Sequence, residues 1–172
     1  TLNQVQSILT KYGISAKIYN INLYKRAFIH KSYTKRPQLY NLQEKITIME
    51  QPIDCLPLHT KSNERLEFLG DAVLDLVVSE RIYLKYPTRR EGRLTQLRSL
   101  LVNKSSLAQQ AKAIKLGKYL LLSESEARSG GRHRDSILAD GYESIIGAMY
   151  LDGGMEPVRD FLDKTLLANI EK

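Results

Sequence analysis

The chain has 172 residues, of which 42% are apolar and 26% charged, and it carries a net charge of +7. That length suits one domain with a real core, while no apolar run nears the ~18 residues of a membrane span and no signal-peptide pattern opens the sequence. A single cysteine, Cys55, excludes an internal disulfide and a cysteine-built zinc site and points to a reducing, cytoplasmic setting. His30, His59 and His133 lie far apart with no ligand spacing, so any metal here should be a hard cation held by oxygen.

Residues Leu2 to Lys11 read as a short amphipathic helix ending at Gly13. Asn20 has the chemistry to cap a second, from Ile21 to about His30, with Leu23, Ala27 and Phe28 facing inward. The stretch 34–61 contains Pro37, Pro52 and Pro57, lacks periodicity and reads as a long loop or insertion. Asn63 to about Lys85 is the longest uninterrupted segment, stopped by Pro87. Thr88 and Glu91 have capping-box spacing and predict a helix through Leu101. Ser105 or Ser106 opens the next helix, closed by Gly117. A short apolar patch, Tyr119 to Leu122, precedes a polar loop from Ser123 to Arg134. Asp135 or Ser136 caps a helix to about Leu151, stopped by Gly153 and Gly154, and Pro157 sits at the start of a last one reaching about Asn169. With no repeats and no convincing paired strands, the fold class is all-α.

Two of these helices carry an unusual pattern of acids. At about 100° per residue, Glu64, Glu67, Asp71 and Asp75 share an arc of roughly 80°. Leu66, Phe68, Leu69, Ala72, Val73, Leu76 and Val77 fill the rest of the circumference. A helix so apolar is buried on several sides, and its carboxylates then need partners or take up protons. On the later helix Asp140 and Glu143 share a face opposite Leu138, Tyr142, Ile145, Ile146 and Met149, with Gly147 on the acidic side where it permits close packing. Arginine salt bridges and a divalent cation are the two ways to pair such groups, and two facing acidic helices favour the cation. Asp75 reads as a solvent-facing or ion-paired extension of the stripe.

Bases lie elsewhere. Lys85, Arg89, Arg90, Arg93, Arg98 and Lys104 are interrupted by one acid, Glu91, and Arg128, Arg132 and Arg134 surround Gly130 and Gly131. Such clusters suit a polyanion, and Arg93, Arg98, Arg128, Arg132 and Arg134 are the expected contacts to nucleic-acid phosphates.

The segment ERLEFLGDAVL, from Glu64 to Leu74, matches the signature of the ribonuclease III family. AFIHKSY (27–33), EGRLTQLRSLLVN (91–103), LAQQAKAIKLGKYLLLS (107–123) and SILADGYESIIGAMYLDGG (136–154) resemble further family segments in the family's order. The resemblance implies an all-helical ribonuclease III endonuclease domain over 1–172, forming a twofold homodimer; the expectation of no double-stranded-RNA-binding domain in this chain departs from the many family members that have one. It implies that Glu67, Asp71, Asp140 and Glu143 are the catalytic carboxylates that bind Mg2+, with Mn2+ able to substitute. Glu64 and Glu91 match supporting acids near the dimer interface and the catalytic valley, although a capping box with Thr88 would equally explain Glu91. Phe68 matches an aromatic that enters a socket on the partner subunit, and His30 a histidine of structural type. The activity implied is hydrolysis of double-stranded RNA to 5′-phosphate and 3′-hydroxyl ends with short 3′ overhangs, each subunit cutting one strand. A-form RNA is then recognised by backbone shape and 2′-hydroxyls. The rivals are a non-catalytic RNA-binding relative and a regulator that sequesters duplex RNA. QPIDCLPLHTKSNERLEFLGD (51–71) resembles versions from large DNA viruses of protists, which would place the protein in a host cytoplasm.

Overall fold

The computed structural model describes residues 2–11, 17–34 and 62–168. Helix α1 spans Leu2–Lys11, as its periodicity predicts. Helix α2 (Ile21–Ala27) is capped by Asn20, whose side chain accepts from the Asn22 N–H at 3.1 Å. It ends three residues earlier than expected because Phe28–His30 leave the helix to pair with Leu121. Leu121 N–H donates to the Phe28 carbonyl at 2.8 Å and His30 N–H to the Leu121 carbonyl at 3.1 Å. This single parallel bridge is the only β-type pairing among the described residues. A short α3 (Lys31–Thr34) follows. The loop or insertion expected over 34–61 lies, beyond Thr34, outside the described residues, and so does Gly13.

Helix α4 (Glu64–Lys85) has the expected bounds. Helix α5 spans Glu91–Leu101, and the capping box is not there: Arg90 is the N-cap, in extended conformation, and Glu91 is the first helical residue. Its carboxylate instead accepts from the Thr95 hydroxyl at 2.8 Å, where an acid also complements the helix dipole. Helix α6 (Lys104–Ala113) starts earlier than Ser105, because Asn103 caps it by accepting from the Ser106 N–H at 2.9 Å. It stops before Gly117, with Lys115 at φ 57° leading into a 3-10 turn at Leu116–Lys118. The stretch read as a polar loop contains helix α7 (Glu124–Arg128), capped by the Ser123 hydroxyl, and a second 3-10 turn at Gly131–His133. Helix α8 spans Asp135–Gly153, and α9, Met155–Lys164, ends sooner than Asn169.

Helix α8 is the axis of the domain. Helices α2, α4, α6 and α9 all pack on it, and α5 packs on α4. Leu138, Tyr142, Ile145, Ile146 and Met149 are buried around its girth, against Leu74 and Ile82 of α4, Leu107 of α6 and Phe161 of α9 in one core. The buried Tyr142 hydroxyl is satisfied by Thr165 Oγ1 at 2.7 Å, whose own proton goes to the Phe161 carbonyl at 2.7 Å. At its C-terminal end Asp152 accepts from Asn20 N–H at 2.6 Å and Tyr19 N–H at 3.1 Å, which ties the start of α2 to α8.

The α4–α8 contact is unusually close. A Cβ on Gly70 would stand 1.8 Å from the Glu143 carbonyl oxygen, and one on Gly147 2.3 Å from the Leu66 carbonyl oxygen. Gly70 faces Glu143, and four residues back along α4 Leu66 faces Gly147, four residues on along α8. The helices are therefore antiparallel, with backbone against backbone, which only glycine permits.

Helix α4 is not buried all round. Leu66, Val73, Leu74, Val77, Val78 and Ile82 face the core, whereas Phe68, Ala72 and Leu76 form an exposed strip one turn apart. Phe68 is 82% exposed and Leu76 58%.

Candidate active site

The glycine contact determines what the acids meet. It brings the middle turn of the acidic face of α4 against the acidic face of α8, and oxygens of Glu67, Asp140 and Glu143 lie within 4.8 Å of one another. All three are half-buried, and among the described residues none makes an ion pair. The bland way of neutralising them is therefore not used there. It is used one turn earlier, where Glu64 meets Lys31 at 3.3 Å and accepts from the Ser62 hydroxyl at 3.0 Å. The Ser62 bond and the lysine hold the Glu64 carboxyl below its usual range.

The unpaired acids behave in the opposite sense. Burial pushes Glu143 up to about 8, with the charges of Asp71, Asp140 and Glu67 adding to the rise. Burial also raises Glu67, with Asp140 and Glu64 contributing. Asp140 is raised chiefly by burial, against the opposing charges of Lys104, Lys31 and His30. Three half-buried carboxylates, raised chiefly by burial and unpaired by any described base, fit the oxygen donor set of a hard divalent ion. Asp71 is exposed and outside the trio, yet it is the largest charge acting on Glu143, so it borders the same space.

The other predicted residues are dispersed. Glu91 is exposed and lines a cleft between α4 and α5 with Ser79, Tyr83, Leu94 and Arg98. Arg98 donates to the Ser79 hydroxyl at 3.1 Å, and the exposed Arg93 to Gln96 Oε1 at 2.6 Å. Arg128 pairs with Glu124, and Arg134 with Glu126. Arg132 donates to the Gly117 carbonyl at 2.9 Å and the Leu120 carbonyl at 2.7 Å, so its guanidinium braces the turn after α6. His30 is a packing residue whose Nδ1 accepts from the Ser32 N–H at 3.2 Å. Sequence reasoning missed Lys31, which pairs with Glu64, and Lys104, whose charge acts on all three acids of the trio. Lys31 follows His30 with no distinguishing signal, and Lys104 is hidden in the longer basic run.

Comparison with known proteins bears on the family. A family model described as Ribonuclease-III-like matches residues 20–170. Ribonuclease 3 of Listeria monocytogenes is 38% identical over 99% of this chain, which spans 66% of that relative's length. The nuclease domain of Ribonuclease III from Campylobacter jejuni, described as structurally flexible in a region involved in dimer formation, superposes with a TM-score of 0.75. It is 34% identical, over 98% of this chain and 99% of that one. Dicer from Pichia stipitis aligns at a TM-score of 0.59 and 28% identity, over 91% of this chain and 58% of its own. None of these is viral, and the viral resemblance of 51–71 draws no support from them. An all-helical chain that matches this family over nearly its whole length, and superposes on its nuclease domain from end to end, belongs to the Ribonuclease-III-like family.

Proposed function

We propose that this chain is a metal-dependent endoribonuclease domain that hydrolyses phosphodiester bonds of double-stranded RNA, leaving 5′-phosphate and 3′-hydroxyl ends with short 3′ overhangs. The observation that carries the reading is the trio Glu67, Asp140 and Glu143, half-buried, within 4.8 Å and unpaired by any described base. Mg2+ is the ion that such an oxygen-only set suits, with Mn2+ as substitute. Glu67, Asp140 and Glu143 hold it, and Asp71 completes the acidic rim. When bound, the ion supplies the Lewis acidity that activates water and offsets charge on the phosphate. Glu143 must release its proton to serve as a ligand, so binding is linked to pH. The Ser62 hydroxyl and Lys31 hold Glu64 in its charged form, outside the trio, which makes Glu64 a supporting residue.

The active form is a homodimer. Phe68, Ala72 and Leu76 leave an apolar strip on α4 that one protomer does not cover, and a twofold axis would bury it against its own copy. Because α4 also carries Glu67, the pairing sets the separation of the two carboxylate clusters, and hence the stagger of the two cuts. Of the basic residues, Arg93 and Arg98 remain as phosphate contacts, with Arg128 and Arg134 available only by giving up their glutamates.

The test is incubation of purified protein with end-labelled duplex RNA, in Mg2+ and in EDTA, alongside Glu143→Gln. Cleavage to staggered 5′-phosphate fragments in Mg2+ alone, lost in the variant, is the expected result. Tight duplex binding without cleavage in either condition would establish the non-catalytic reading instead.

A further inference from the structure

Helix α6 runs along α8, and the ion pair between Lys112 and Asp135 at 2.6 Å fixes their register. Lys112 lies in the last turn of α6 and Asp135 is the first residue of α8, so the two helices are antiparallel. Eight residues back along α6 is Lys104, and eight residues on along α8 is Glu143. At about 1.5 Å per residue both steps cover roughly 12 Å, which sets Lys104 level with the carboxylate cluster. The electrostatics agree: Lys104 is the cation whose charge acts on Glu67, Asp140 and Glu143 alike.

Its disposition differs from that of the other lysines nearby. Lys31 is committed to Glu64 and Lys112 to Asp135, whereas Lys104 is exposed and makes no ion pair among the described residues. Close enough to be felt by three acids, it is bound to none. A site built to accept a cation beneath and a phosphate above has a use for such a group at its rim. The ammonium is a point charge with three donors on a flexible stem, which can follow a phosphate oxygen without a fixed fork geometry. We propose that Lys104 is a substrate-contacting residue, whose ammonium donates to a nonbridging oxygen of the phosphodiester seated over Glu67, Asp140 and Glu143. This deepens the ribonuclease reading and rests on it.

The experiment compares wild type, Lys104→Met and Lys104→Arg on a short labelled RNA duplex. Binding is read by fluorescence anisotropy in EDTA across a salt series, and cleavage by single-turnover kinetics in Mg2+ at saturating protein. Loss of one exposed phosphate contact should weaken binding by Lys104→Met roughly three- to tenfold. It should also reduce the log–log salt slope by about 0.7–0.9. Single-turnover cleavage should fall by about tenfold or more, and Lys104→Arg should recover most of both losses. Lys104→Met that binds with an unchanged salt slope overturns the proposal. So does a variant that binds RNA normally and merely needs less Mg2+, since Lys104 would then only screen the acids. A wild type that binds duplex but never cuts it refutes the ribonuclease reading, while the EDTA arm still judges the Lys104 contact separately.

Discussion

Glu143→Gln should make the protein more stable and less functional at once, and the size of the effect follows from the site. In the fold the Glu143 carboxyl is pushed from 4.5 up to about 8 by burial and by Asp71, Asp140 and Glu67. Above pH 4.5 the unfolded chain has released this proton while the folded one retains it, so folding loses stability as pH rises through the window from 4.5 to about 8. Below the window both forms are protonated and the carboxyl costs nothing. Converted in full, such a rise amounts to ~5 kcal/mol. Glu143 is only half-buried, and solvent screening brings the expected penalty nearer ~1–2 kcal/mol. Glutamine removes the titration. Urea denaturation followed by circular dichroism, in EDTA and at one protomer concentration, should show the variant matching wild type at about pH 4.5 and exceeding it by ~1–2 kcal/mol at about pH 9. Added Mg2+ should reverse the order at the higher pH, because only wild type gains the linkage term from ligand binding. A variant no more stable than wild type at pH 9 in EDTA, or one stabilised equally by Mg2+, would refute the account of the cluster as acids waiting for a cation.

Three further perturbations probe the elements that position the site. Gly147→Ala sets a Cβ 2.3 Å from the Leu66 carbonyl, and should cost at least the ~1–3 kcal/mol of ordinary overpacking; a thermal transition unchanged within error would show that the helices part without cost. Arg132→Ala removes two charge-assisted bonds to the carbonyls of Gly117 and Leu120 and should lose ~2 kcal/mol of stability while leaving the salt slope of RNA binding intact. A flattened slope with unchanged stability would return Arg132 to the RNA surface. Phe68→Ala should leave protomer stability nearly unchanged, since Phe68 is 82% exposed, yet weaken association by ~2 kcal/mol or more. Sedimentation at micromolar concentration reads the shift, and a monomeric wild type that still cuts both strands in register would end the dimer reading.

The sequence was informative where one element sufficed. Helix α4, the Asn20 cap, the all-α class and the shared face of Asp140 and Glu143 each follow from local spacing. It was weaker where the answer depended on a second segment. Thr88 and Glu91 satisfy a capping pattern, but the chain turns at Pro87 and Arg90 takes the cap. Helix α2 stops at Ala27 because Leu121, far along the chain, claims the backbone of Phe28–His30. The positive charge of Arg132 was plain, but its partners are carbonyls in the turn after α6, and carbonyls leave no side-chain signature.

The four acids of the α4 stripe show the same limit at its sharpest, because a helical wheel makes them equivalent. Their fates differ only along the axis. At Glu64 the face meets α3, which supplies Lys31, and the charge is neutralised by a base. At Asp71 the face opens to solvent, and Asp75, one turn on, is half-buried and makes no ion pair among the described residues. Only at Glu67 does it meet another acidic helix, pressed so close through Gly70 and Gly147 that the opposing groups are Asp140 and Glu143. That turn receives neither a lysine within pairing distance nor full hydration, so burial holds the carboxyls of Glu67 and Glu143 above their usual range. The two glycines thus do more than allow close packing. By excluding side chains from the contact, they place the carboxylates of α8 where α4 has no other partner to offer, which turns an acidic stripe into a cluster of carboxylates that fits a divalent ion.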